Sequence, residues 1–108
     1  MNEEPRDIYN RNLIPETMLD TLIEWAATAR PVGGCAEAIL CNDLMQAFQR
    51  ADEFTTRAMP AIMSFVYNQL PARCCGSREH YETWPALCKE FTACAPGFPE
   101  MIRRKAVL

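Results

Sequence analysis

Six cysteines and a single histidine are the residues of this 108-residue chain best suited to chemistry. Cys74 and Cys75 are adjacent, His80 follows shortly after, and Cys88 comes next. A zinc centre needs four nitrogen or sulfur ligands at chelating spacing. No C-x-x-C pair is present, and adjacent cysteines chelate one ion poorly. Reduced thiols packed as small apolar side chains are the expected state, with His80 on the apolar side of its helix. Cys74 or Cys75 with His80 also spells a nucleophile and a base. Nothing orients the imidazole, no oxyanion loop is recognisable, and one histidine leaves little for general acid–base work. The acidic pairs Asp52 with Glu53 and Glu79 with Glu82 read as helix-start and solvent-facing charge. The chain is therefore read as non-enzymatic, with no catalytic residue, metal or cofactor assigned.

Binding chemistry is better represented. The stretch from Arg30 to Asp52 reads as a glycine-opened helix with an oily face and a polar one. Asn42, Asp43, Gln46 and Arg50 share the polar face, and Ile39 and Cys35 fall in the same sector. Such a mixed stripe suits a partner interface. The alternative is that Arg50 bridges to Asp43 through Gln46, or to a carboxylate on a neighbouring helix. Gly33 and Gly34 precede that helix. Free N–H groups at a helix start favour an anion, although a short interhelical turn also calls for glycine. Tyr67 and Asn68 sit at the end of a later helix, where the tyrosine hydroxyl reaches solvent or a ligand.

The elements that must position these residues are helical. Pro15 suits a first helical position, and Met18, Leu19, Leu22, Ile23, Trp25, Ala26 and Ala29 fall on one side of a wheel over residues 15–29. Pro31 stops this helix. A second helix is expected over 35–51, with Ala36, Leu40, Leu44, Ala47, Phe48 and Ala51 inward. Asp52 caps a third over 53–69, with Phe54, Ala58, Met59, Ile62, Phe65, Val66 and Leu70 inward and a kink or break at Pro60. After the PARCCGS loop, Ser77 caps a fourth over 78–93, burying Tyr81, Trp84, Leu87, Cys88 and Phe91. Pro85 is expected to set its first turns apart as a short helix. No alternating strand pattern competes. The fold expected is all-α, a compact bundle of four to five helices with short connections. Residues 1–13 read as a loose lead pinned through Ile8, Tyr9, Leu13 and Ile14. Residues 14–94 form the helical domain, and 95–108 a loop and short helix.

Composition limits the partners. Net charge is −3, and the basic residues cluster only at Arg103, Arg104 and Lys105. A duplex-binding surface relies on a basic surplus, so nucleic-acid duplexes are not expected. No apolar run approaches the ~18 residues of a membrane span. MNEEPRD is polar and acidic, unlike a signal peptide. A cytoplasmic setting is expected, which agrees with reduced cysteines.

The segments PVGGCAEAILCNDLMQAFQRAD and FVYNQLPARCCGS, followed by Trp84, resemble a group of small phage and prophage proteins. Their pattern runs P-x-G-G-F-L-x-A-V-L-x-N-D-L, then R-A-D, Y-N-x-x-P, C-W-G-S and a tryptophan. It is carried here by Pro31, Gly33, Gly34, Ala38, Leu40, Asn42, Asp43, Leu44, Arg50, Ala51, Asp52, Tyr67, Asn68, Pro71, Gly76, Ser77 and Trp84. Cys35-Ala36 replaces the usual aromatic–aliphatic pair, and Cys75 stands where tryptophan is usual. The resemblance implies a phage accessory protein in the host cytoplasm, acting by binding in counter-defence. Its expected ligand is a nucleotide-type signal held by Gly33, Gly34, Asn42, Asp43, Gln46, Arg50, Tyr67 and Asn68. The alternatives are an inhibitor of a host protein and, from another class, a small cysteine or metal-dependent enzyme. Ile39 and Cys35 on the polar face lead to the expectation of a homo-oligomer.

Overall fold

A computed structural model describes residues 14–94 and Gly97. Among these residues there are five α-helices and no strand. They are α1 (Glu16–Thr28), α2 (Gly34–Leu40), α3 (Leu44–Arg50), α4 (Glu53–Gln69) and α5 (Arg78–Cys94). A single 3-10 turn, Ala72–Cys74, joins α4 to α5. The all-α bundle expected from the sequence is the fold observed. Of the residues expected to pin the lead, Ile14 is buried; Ile8, Tyr9 and Leu13 lie outside the described residues. So does the short helix expected within 95–108.

Helix ends follow local chemistry. Pro15 is the N-cap of α1, and its carbonyl accepts Leu19 N–H at 2.9 Å. The helix closes on Ala29, a left-handed residue (φ 58°) whose N–H donates to the Trp25 carbonyl. Asp52 caps α4 by accepting Thr55 N–H at 2.7 Å. Ser77 caps α5 by accepting His80 N–H at 3.1 Å.

The single helix expected over 35–51 is two helices. Asn42 takes a left-handed conformation (φ 61°) and ends α2. Asn42 N–H donates to Ile39 O at 3.1 Å and Asp43 N–H to Ala38 O at 2.8 Å. These are the paired closing bonds of a Schellman motif, in which asparagine tolerates the left-handed position. Asp43 then caps α3 through Gln46 N–H at 3.3 Å. The chain reverses between the helices, so the start of α2 meets the end of α3. The expected break at Pro85 is also absent: α5 is one 17-residue helix, and α4 likewise continues through Pro60. Both prolines are exposed, so each ring sits on the solvent side and disturbs no packing.

The core packs α1 against α2, α4 and α5, and α3 against α2. Leu22, Ile23, Ile39, Leu40, Ile62, Phe65 and Trp84 are sealed from solvent. Two indoles organise it. Trp25 stacks on Tyr81 with ring centroids 4.3 Å apart, and its Nε1–H donates to Cys74 O at 2.9 Å. Trp84 Nε1–H donates in turn to Trp25 O at 2.9 Å. A buried tryptophan N–H left without an acceptor is costly, so these bonds fix how α5 and the 3-10 turn dock on α1.

Candidate functional site

The meeting of α2 and α3 places Arg50 over Gly34. A Cβ added at Gly34 would lie 2.8 Å from Arg50 Nη1, so the guanidinium packs directly against the glycine and would have to shift for a larger residue. Beside them is an open cleft of about 310 Å³, lined by Thr17, Met18 and Thr21 of α1, by Gly33 to Ala36, and by Thr55. Cys35 is half-buried in this cleft and its thiol donates to Ala47 O at 3.5 Å. Burial chiefly raises its pKa; Asp52 adds to the rise and Arg50 opposes it. Arg50 is exposed and makes no ion pair among the described residues. The hydroxyl-bearing lining residues come from α1 and α4, and the Arg50 guanidinium lies at the Gly34 edge of the depression.

The other expected binding residues lie elsewhere. Asn42 and Asp43 occupy the opposite end of the α2–α3 pair, where they close one helix and cap the next. Gln46 gives its backbone N–H to Asp43 and is half-buried. Tyr67 and Asn68 lie near the far end of α4. Tyr67 lies twelve positions after Thr55 in α4, about 18 Å along the helix. Asn68 Nδ2–H donates to Ser64 O at 2.9 Å, whereas Tyr67 is 86% exposed. Of the eight residues, the structure therefore gathers Gly33, Gly34 and Arg50. Asn42, Asp43 and Gln46 form the joint, and Tyr67 and Asn68 stand apart. Ile39, expected on the polar face, is only 1% exposed and belongs to the core. With it goes that reason for expecting an oligomer.

The cysteine set resolves differently. Cys41, Cys74, Cys75 and Cys88 are buried, and none of the described cysteines is in a disulfide. Among the described residues no three histidine, cysteine or acidic side chains are grouped to hold a metal ion. His80 is exposed, not on the apolar side of α5 as its wheel implied. Its Nδ1 lies 2.8 Å from the Cys75 carbonyl, not from a thiol.

No family model matches the chain, and no curated protein or solved structure matches it. Function must be read from the surface itself. There the structure shows something the sequence reading missed. Leu44, Phe48 and Phe54, expected in the core, are 47%, 44% and 73% exposed, and Met45 is 85% exposed. Leu44, Met45 and Phe48 are neighbours at i, i+1 and i+4 on α3, whose inward position is Ala47. The signal was present in Asn42-Asp43. A helix stop followed by a cap restarts the wheel at Leu44 and turns these side chains outward.

Proposed function

We propose that this protein acts by binding another protein, through the outward face of α3. The carrying observation is Met45, 85% exposed with Leu44 and Phe48 flanking it on one short helix. Methionine and aromatic side chains are enriched at protein contacts and depleted on free surfaces. A face with such anchors and no charge among Leu44, Met45 and Phe48 suits a partner's apolar groove or helix. The resemblance to phage and prophage accessory proteins makes a host protein the partner class, with inhibition as the consequence. Catalysis plays no part in this reading.

The test compares the chain with Met45→Glu as immobilised baits against a bacterial lysate. Because Met45 is exposed, the variant should keep its stability within about 0.5 kcal/mol. A bound protein lost only from the variant supports the proposal. Identical capture by both baits, or none by either, overturns it.

A second reading retains a nucleotide-type ligand, and the observation that favours it is Arg50 over Gly34 beside the open cleft. Bidentate contact with phosphate is what a free guanidinium does best. Thermal shifts with mono-, di- and cyclic nucleotides, lost in Arg50→Ala, would favour it over the first. No shift with any of them removes it.

A further inference from the structure

Cys74 and Cys75 take no part in the surfaces described so far, yet they sit where three helices are tied together. Cys74 O accepts Trp25 Nε1–H of α1 at 2.9 Å. Cys75 O faces His80 Nδ1 of α5 at 2.8 Å. Gly76 N–H donates to Leu40 O, at the end of α2, at 2.8 Å. Three consecutive backbone positions thus hold three different helices. Gly76 has φ 99°, a conformation that suits glycine alone. The Cys75 thiol donates to Pro71 O at 3.6 Å.

We propose that Cys74 and Cys75 form a peroxide-sensitive dithiol whose closure to a vicinal disulfide releases this three-helix tie. Cys75 is the attacking sulfur. It is the less sealed of the two, at 7% exposure against 0%. The adjacent Cys74 thiol also pulls the Cys75 pKa below the usual thiol value, whereas the interaction with Cys75, and then burial, push Cys74 up. The Cys75 thiolate attacks one oxygen of hydrogen peroxide. The O–O bond breaks, and hydroxide leaves and takes up the proton Cys75 had released. Cys74 sulfur then attacks the sulfenic sulfur of Cys75, the S–O bond breaks, and water departs with the Cys74 proton. Two thiols are oxidised, one peroxide is reduced, and two waters form.

Adjacency makes the closure consequential. Neighbouring Cα atoms are about 3.8 Å apart, short of the ~4.4–6.8 Å that disulfides usually span. Closing the ring therefore twists the peptide between the two residues. That peptide carries the Cys74 carbonyl on which Trp25 depends, so ring and tie compete. The same twist makes the ring readily reopened by a dithiol reductant.

The test treats the folded full-length chain with hydrogen peroxide, quenches it, and labels remaining thiols with a maleimide after denaturation. Trypsin cuts after Arg73 and Arg78, which leaves both cysteines in the peptide Cys74–Arg78. The expected product is that peptide two hydrogens lighter and unlabelled, restored by dithiothreitol, with a matching red shift of tryptophan emission in the intact protein. A peptide still labelled at both positions overturns the proposal. So does a link to the Cys88 peptide, or sulfinic acid in place of the ring. A closed ring with unchanged tryptophan emission overturns the release of the tie. Cys74→Ser supplies a separate check: Cys75 should then accumulate as a sulfenic acid trapped by a dimedone probe, and no trapping overturns its role as attacking sulfur.

Discussion

Single residues at helix ends carry more of this molecule than their polar character suggests. Asn42 is the clearest case. A left-handed backbone disfavours a side chain with a Cβ by about 1 kcal/mol or more, and asparagine and glycine tolerate it best. Asn42→Ala should therefore destabilise the fold by about 1 kcal/mol, whereas Asn42→Gly should not. Chemical denaturation of the pair checks this, and equal losses would mean that the side chain, not the conformation, matters. Asp52 allows a prediction in pH. Thr55 N–H, then the Thr55 side chain, hold its carboxyl below the usual carboxylate range. A depressed folded pKa means stability that is fully present above the unfolded value near about 4 and lost as pH falls through the folded value. Asp52→Asn keeps a capping oxygen but does not titrate. The stability difference between the parent chain and this variant should be flat above about pH 5 and move against the parent below about pH 4. A difference that stays constant down to pH 2 would remove the cap's electrostatic part. Other polar residues at helix ends have the same kind of work: Asp43, Asp52 and Ser77 cap helices, and Asn42 ends one.

At the scale of elements, the sequence was legible wherever one helix kept one face. The inward residues of α1 were read correctly at Leu22, Ile23, Trp25 and Ala26, and those of α5 at Trp84 and Cys88. It misled where a helix restarted. Carrying one wheel across Asn42 put Leu44 and Phe48 inside, and assembled a polar face that the joint then divided between two ends. The cleft was half-legible for the same reason. Gly33-Gly34 and Arg50 were singled out, but only the reversal of the chain brings them together, and Thr17 and Thr21 enter from α1. Prolines misled in the opposite direction. A proline inside a helix removes one backbone bond and crowds the preceding turn, yet an exposed one leaves the buried face intact. Replacing Pro60 or Pro85 with alanine should stabilise the protein by about 1–3 kcal/mol, since alanine restores the missing bond. Thermal denaturation of each variant decides it. A loss of stability would mean that the helix bends at the proline and that the core is built around the bend.

At the scale of the whole molecule, the two indoles form a relay from α5 through α1 to the loop before α5. Trp84 donates to the backbone of Trp25, and Trp25 donates to the backbone of Cys74. Each link crosses the core, so neither helix nor loop can leave without exposing a buried donor. Trp84→Phe should cost about 2–3 kcal/mol, from one lost hydrogen bond and a partly filled cavity. Trp25→Phe should cost about as much, since it leaves the Cys74 carbonyl without its indole donor. The links share Trp25, so the double variant should depart from the sum of the singles by at least about 0.5 kcal/mol. Urea unfolding followed by circular dichroism measures all three, and each should melt in one transition because a single core joins the helices. Strict additivity would show that the two bonds act separately, and the loop holding Cys74 and Cys75 could then open without loosening α5. Coupling would show that the relay is one device, so that a change at Cys74 is felt on α1 and α5 together.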